Sequence, residues 1–285
     1  MFKDSKSLEI SCYVLGAGAF GVFFRWMQLQ LAYNDESLPD RSAWNILVPL
    51  LIIAAAFVFS KFVRNDEKAE LSLSDNIFEA LHNDGKIFSF VRCFLGLMMV
   101  IGSILLFAQC EADRNATFFK VLAVLGFLSG ISFTLFLTCV NKPNVTKNST
   151  LTLLSIFPIA LFAVWLLTCY KTNSINPIGW DYAVEIVTLI ITALAFFRIA
   201  GFAFGVPDAK KSMFFCMFGG MLCIMSIADN RYIGQQIMLA STGLMLTTFN
   251  WIMMANLRTP EEIAEAEEQA RIAAEEAAAI LAGDD

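Results

Sequence analysis

Apolar residues occur along this chain in long blocks that are separated by short polar or turn-rich segments. An α-helix needs about 20 such residues to cross a hydrocarbon core roughly 30 Å thick. The blocks predict eight membrane spans, at residues 8–31, 44–63, 87–109, 117–140, 150–170, 182–205, 212–229 and 232–256. Because backbone groups in lipid must be paired within their own segment, we expect an all-α fold, a polytopic transmembrane helical bundle.

The composition agrees with this class of protein. The chain is 57% hydrophobic and only 16% charged, whereas a soluble domain has about a quarter of its residues charged. The net charge of −6 belongs to one segment, because residues 261–285 hold nine acidic side chains and one arginine and so carry −8. The remaining chain carries +2 and has no basic patch of the kind that binds nucleic acid.

The placement of lysine and arginine predicts the orientation in the membrane. With the N-terminus inside, twelve of these residues fall in cytoplasmic segments and four in outer loops. Cytoplasmic loops carry the excess of positive charge in membrane proteins. We therefore expect both termini in the cytoplasm and a location in the plasma membrane, and the lack of an evident eukaryotic targeting pattern favours a bacterial protein.

The chain divides into a transmembrane helical domain, residues 1–258, and an acidic, Ala/Glu-rich tail, residues 259–285. The tail begins with a capping box, in which Thr259 and Glu262 are three residues apart and Pro260 takes the first helical position. Alanine and isoleucine then repeat at 3-4 spacing, a pattern that packs against a partner helix. This predicts a cytoplasmic protein partner or self-association through 260–282, and the alternative is a solvated acidic helix.

The longest cytoplasmic loop runs from Arg64 to Lys86. Within it, Ser74 is a candidate cap for a short helix that carries Ile77, Phe78 and Leu81 on one side. We expect this helix to lie at the membrane surface.

The sequence argues against most membrane enzymes. Its single histidine, His82, lies in a loop, so that bis-histidine haem ligation and zinc proteolysis have no ligand set. No CxxC, P-loop or dinucleotide-binding glycine pattern is present. We expect no metal, no cofactor and a non-enzymatic role.

Polar side chains inside the predicted spans are the candidate functional residues, because an ionisable group in a bilayer needs a partner, water or a role. They form two sets. The outer set, a candidate polar vestibule, is Arg25, Gln28, Gln109, Glu185 and Gln235, and the inner set is Arg92, Arg198 and Asn250. Arg25 and Glu185 have similar predicted depth, so that they either shape a ligand or ion site or form a structural ion pair.

Glycines recur in two spans, at Gly16, Gly18 and Gly21 in the first and at Gly219 and Gly220 in the seventh. Small residues allow membrane helices to approach closely, which is the interpretation we favour. The alternative is the locally unwound helix of a transporter.

The sequence predicts a multi-pass membrane protein that is a non-enzymatic scaffold or sensor, whose tail binds a cytoplasmic partner, because few charged groups lie deep in the predicted spans. The alternative is a transporter or channel for a small solute or ion, which uses the outward-facing polar groups.

Overall fold

The computed structural model describes residues 2–32, 43–65, 73–83, 85–111, 113–142, 148–173, 182–259, 261–262, 264–265 and 268. Within these ranges the fold is an all-α bundle, and eight helices are long and apolar enough to cross a membrane. In chain order the helices are α1 (Phe2–Leu31), α2 (Trp44–Asn65), the short α3 (Ile77–Ala80), α4 (Lys86–Gln109), α5 (Ala116–Val140), α6 (Asn148–Asn173), α7 (Ala183–Ala203), α8 (Ala209–Met225) and α9 (Ile233–Ala255). The prediction of an eight-span helical membrane protein is confirmed.

Local capping interactions determine where the helices begin and end, and hydropathy alone does not predict them. Helix α8 begins at Ala209, before the predicted start at residue 212, because the Asp208 carboxylate accepts a hydrogen bond from the Lys211 amide at 3.1 Å. At its other end α8 tightens into a 3-10 turn, Ser226–Ala228, and the chain leaves the helix at Asp229. The tail also begins as predicted, since Thr259 and Glu262 exchange both hydrogen bonds of a capping box. The rest of the predicted tail helix lies largely outside the described residues.

Six helices form a closed ring. Helix α4 packs on α5, α5 on α6, α6 on α7, α7 on α8, α8 on α9, and α9 returns to α4. Helix α1 packs on α8 and α9, and α2 packs on α1 and α8 at the edge of the bundle. The most apolar windows of α8 and α9 are 67% and 78% buried, against 17% for α2. Helices α8 and α9 are therefore the centre of the fold, and α2 exposes most of its surface to lipid.

Phenylalanine side chains fill one half of the ring. Phe249 of α9 makes edge-on contacts with Phe133 and Phe136 of α5, with ring centroids 5.4 and 6.1 Å apart. On the neighbouring pair of helices, Phe162 of α6 stacks on Phe196 of α7 at 5.7 Å. The contacts of Phe249 close the ring towards the end where α9 finishes, because they join α9 to α5, two helices that are not neighbours in the ring.

Glycines allow the central helices to touch backbone to backbone. A Cβ atom built on Gly234 of α9 would lie 2.4 Å from the backbone nitrogen of Leu106 and 2.6 Å from the backbone oxygen of Gly102, both in α4. A Cβ atom on Gly220 of α8 would lie 3.3 Å from the backbone oxygen of Gly243 in α9. Close packing, the interpretation favoured for the glycines, therefore holds for Gly220.

The loop before α4 packs against the end of the bundle where α4 begins. Ile77, Ala80 and Leu81 of this loop are buried, so that the short helix packs on protein. The predicted cap was wrong. Asn76 caps α3 by accepting a hydrogen bond from the Phe78 amide at 3.1 Å, whereas Ser74 accepts from the Asn76 amide one step earlier.

The crossing of α4 and α9 yields a prediction for stability. Gly234→Ala should destabilise the protein by about 1–3 kcal/mol, because the new methyl group meets backbone atoms that cannot move aside. Gly16→Ala is the matched control, since a Cβ atom there meets nothing within 4 Å. Thermal unfolding of both variants in detergent measures the difference, and equal melting temperatures would contradict the close crossing.

Candidate functional site

Four side chains of alternating charge lie in a line at one end of the bundle, and we name this line the charge row. Arg25 Nε donates to Asp229 Oδ1 at 2.6 Å, and Arg231 Nη2 donates to Asp229 Oδ2 at 2.5 Å. Arg231 Nε then faces Glu185 Oε1 at 3.4 Å. Trp165 extends the row, because its indole Nε1 donates to the same oxygen of Glu185 at 3.3 Å.

The four members of the charge row come from three places in the sequence. Arg25 lies near the end of α1, Glu185 lies in the first turn of α7, and Asp229 and Arg231 lie in the connection between α8 and α9. This connection is held at Asp229, whose amide donates to Ser226 O at 3.2 Å and whose carbonyl accepts from Gln236 Nε2 at 3.1 Å. The row therefore joins two helices, α1 and α7, to one short, fixed connection.

The row is buried. The side chains of Arg25 and Asp229 are 1% and 9% exposed, and those of Arg231 and Glu185 are 7% and 13% exposed. Their formal charges sum to zero, with each aspartate or glutamate beside an arginine. Attraction between such close charges is strong where water is excluded, but removing the groups from water opposes it.

A second chain of hydrogen bonds connects Arg25 to the second helix. Arg25 Nη1 donates to Gln28 Oε1 at 2.7 Å, and Gln28 Nε2 donates to Asn45 Oδ1 at 3.1 Å. Asn45, in the first turn of α2, donates in turn to Ala32 O at 3.3 Å. The polar groups of α1 thus fix the start of α2, which has few other contacts with the bundle.

Two cavities adjoin the charge row. The ring cavity, of about 420 Å³, lies inside the six-helix ring. The α1 cavity, of about 560 Å³, lies between α1, the start of α7 and the connection that carries Asp229. Asn173, Glu185, Asn230 and Arg231 line both cavities. The contact between Arg231 and Glu185 is therefore part of the wall that the two cavities share.

Aromatic and neutral polar side chains form the rest of the ring cavity. Phe119, Trp165 and Tyr232 are its aromatic members, and Thr168 and Gln235 are among its polar ones. Polar and charged side chains thus make up most of the lining, and the cavity volume lies within the range of sites for small molecules.

The start of α9 is fixed by side chains from the other half of the ring. Gln109 Oε1 accepts from the Gly234 amide at 3.1 Å, and Asp113 Oδ2 accepts from the Tyr232 hydroxyl at 2.6 Å. The hydrogen bond to Asp113, with burial and the negative charge of that carboxylate, raises the pKa of Tyr232 to about 12. The phenol therefore stays a neutral donor at physiological pH.

The structure separates the predicted outer set into two roles. Arg25 and Glu185 belong to the charge row, and Gln235 lines the ring cavity. Gln28 and Gln109 instead tie helices together through the hydrogen bonds described above. Arg25 and Glu185 make no direct pair among the described contacts, because Asp229 and Arg231 stand between them.

Asp229 and Arg231 were missing from the predicted site. The sequence places them at the predicted outer edge and in an outer loop, where a charged residue is ordinarily solvated. One signal in the sequence could have found them. By the predicted topology, the short connection between the last two spans lies at the same end of the bundle as Arg25, near the end of the first span, and Glu185, at the start of the sixth.

The predicted inner set forms no shared site among its described contacts. Arg92 donates to Leu137 O at 3.4 Å and to Ser89 Oγ at 3.1 Å. Arg198 lies 3.9 Å from Asp208, and Asn250 donates to Met254 Sδ at 3.5 Å. Each residue has different neighbours, and Arg92 Nε, Arg198 Nε and Asn250 Oδ1 are buried without a hydrogen-bond partner among the described residues.

Comparison with protein-family models, curated proteins and solved structures finds no match to this chain. Within the described part of the chain, no group of three or more His, Cys, Asp or Glu side chains could hold a metal ion. What the site offers is a cationic and an anionic group side by side, with hydrogen-bonding and aromatic groups around them.

The order of charges yields a second prediction. Asp229→Asn should destabilise the protein by about 3–5 kcal/mol, because it leaves Arg25 and Arg231 buried without the carboxylate between them. Asp208→Asn is the matched control: the Lys211 side of its ion pair is exposed to solvent, asparagine retains the capping oxygen, and the expected loss is within about 1 kcal/mol. Chemical denaturation in detergent compares the two variants, and a similar loss in both would show that the row contributes no more than a surface pair.

Proposed function

We propose that this protein is a non-enzymatic transporter for a small polar solute in the plasma membrane, with both termini in the cytoplasm. The two cavities are its vestibule, and they face outwards. One observation carries the proposal: a buried row of four charges lies in the wall shared by two cavities at one end of the bundle. Ionisable groups held at this position in a membrane protein are typical of solute pathways.

The packing along the bundle supports an outward-open state. The ring contains a cavity at the end of the charge row, and Phe133, Phe136 and Phe249 fill it on the way to the other end. A transporter that works by alternating access needs a site that is open to one side and closed to the other.

The orientation of the vestibule rests on the distribution of lysine and arginine. The end that carries the charge row contains the connections with few basic residues, whereas the opposite connections hold most of them. By the positive-inside rule the charge row then faces the outside.

Thiol labelling in intact cells tests this proposal. In a background without the seven native cysteines, Asn173→Cys and Gln236→Cys should react with a membrane-impermeant maleimide added outside, because these positions line the ring cavity and the α1 cavity. Ser241→Cys should not react, since Ser241 is fully buried between α9 and α4.

Lys86→Cys, exposed at the opposite end, supplies the control for orientation and should react only after permeabilisation. Failure of both cavity positions to react while Lys86→Cys reacts from outside would reverse the orientation. Failure of both cavity positions under either condition would mean a closed bundle and would remove the proposed vestibule.

A scaffold or sensor is the second candidate function, and the start of the tail favours it. Asn256 Nδ2 donates to Ala80 O at 3.0 Å and to His82 O at 2.9 Å, and Arg258 pairs with Glu79 at 3.3 Å. The tail thus leaves the bundle from a fixed point and begins with a formed capping box. A fixed origin suits a helix that presents one face to a cytoplasmic partner or to a second copy of the chain.

Deletion of residues 260–285 tests the second candidate. If the tail is a docking helix, the deletion should abolish co-purification of its partner and leave the melting temperature of the bundle unchanged. The matched control replaces the glutamates of the tail by glutamine, which retains the helix and removes its charge. An unchanged set of co-purifying proteins after the deletion would refute partner binding through this segment.

A further inference from the structure

The guanidinium group of Arg231 has one nitrogen that the protein leaves unsatisfied. Its Nε faces Glu185 and its Nη2 donates to Asp229, but its Nη1 is buried and has no hydrogen-bond partner among the described residues. The side chain is more than nine-tenths buried and lines both cavities. Buried donors are nearly always paired in proteins, and an unpaired charged donor is more costly than a neutral one. Because Nη1 has almost no accessible surface, an acceptor oxygen from a bound molecule reaches it only when the contact between Arg231 and Glu185 opens.

A carboxylate already stands beside this arginine. The distance from Arg231 Nε to Glu185 Oε1, 3.4 Å, is the longest ion-pair contact in the charge row, where the two contacts of Asp229 are 2.6 and 2.5 Å. Glu185 also lines both cavities. The shared wall therefore presents a cation and an anion next to each other, and their contact is the one that a bound molecule can replace at the lowest energetic cost.

The charge balance selects among possible ligands. The row is neutral as a whole, and its members are shielded from water. A molecule with a single charge would leave that charge uncompensated in a poorly hydrated site, which is strongly unfavourable. A molecule with one positive and one negative group close together keeps the site neutral and offers a partner to each side of the Arg231–Glu185 contact.

The surroundings suit the remaining part of such a molecule. Trp165 donates to Glu185 and lies in the wall of the ring cavity with Phe119 and Tyr232. Aromatic faces bind apolar groups and attract an ammonium group. The cavity volume of about 420 Å³ lies within the range of sites for small molecules.

We infer that the ring cavity binds a small zwitterion of the α-amino acid class. Its carboxylate accepts from Arg231 Nη1, its ammonium group is held by Glu185, and its side chain lies against Trp165 and its aromatic neighbours. This inference rests on the proposed vestibule and adds the chemical class of the solute.

Calorimetric titration of the full-length protein in lipid nanodiscs tests the class. The probes are three amino acids, each with the acid that lacks its amino group and the amine that lacks its carboxyl group. The sets are glycine, acetate and methylamine; leucine, 4-methylpentanoate and 3-methylbutylamine; and phenylalanine, 3-phenylpropionate and phenethylamine. At least one amino acid should bind, and its acid and amine analogues should bind about tenfold more weakly or less, because each lacks one of the two charged contacts. An acid or an amine that binds as well as its amino acid would overturn the inference, and so would the absence of binding across all nine probes.

Two substitutions locate the binding. Arg231→Gln and Glu185→Gln should each weaken the best amino acid by about tenfold or more, whereas Arg198→Gln, at the opposite end of the bundle, should leave its affinity unchanged. If Arg231→Gln does not fold, Arg231→Lys retains the charge but has one nitrogen in place of three, and it should show the same direction of change. Unchanged affinity in a folded variant at either position would overturn the inference.

Protection from labelling separates this inference from the proposed function. The amino acid that binds should slow the reaction of Asn173→Cys with maleimide, because Asn173 lines the ring cavity. Reaction of Asn173→Cys without protection by any probe would refute the zwitterion and retain the vestibule. No reaction of Asn173→Cys under any condition would refute the vestibule itself.

Discussion

The pairing of Arg25 and Arg231 with one carboxylate, Asp229, holds the open end of this bundle together. Towards the other end the helices are joined by aromatic packing, as between Phe249 and Phe133, which needs no charge. At the end with the two cavities, the charge row links α1 and α7 to the α8–α9 connection, because each arginine contacts a carboxylate from a different element.

Stability alone does not explain why charges stand at this position. A buried ion pair loses much of its attraction to the cost of removing both partners from water, and apolar side chains of similar volume often stabilise a protein as well or better. Within the row, Arg231 Nη1 is buried without a hydrogen-bond partner among the described residues, which lowers the stability of the network. The row also lies in the wall of two cavities, and the proposed solute site would give these charges a role that apolar residues could not fill.

The spans could be predicted closely from the sequence, because a chain in lipid must pair its backbone groups within each segment, and this leaves a strong hydropathy signal. The charge row could not be predicted in this way. Hydropathy and loop charge place Arg25 and Glu185 at similar depth, but they do not show which residues lie between them. The identity of those residues depends on how α1, α7 and the connection after α8 meet in space. The same limit applies to Gln109, which the sequence groups with the vestibule and the structure uses to hold the Gly234 amide. It applies again to Ser74, where the choice between two neighbouring caps depends on local backbone geometry.

Helix α9 relates the two candidate functions to each other. Its first turn lies at the charge row, through Gln235 and Gln236, and its last turn holds the cytoplasmic loop through Asn256. A solute that separates Arg231 from Glu185 changes the contacts that fix the first turn, and a buried, continuous helix moves largely as one body. In a transporter this movement would have to open a path for the solute past Phe249, whereas in a sensor it would change the contacts of Asn256 and leave that path closed. Whether a path opens between Phe249, Phe133 and Phe136 after a solute binds therefore distinguishes transport from signalling.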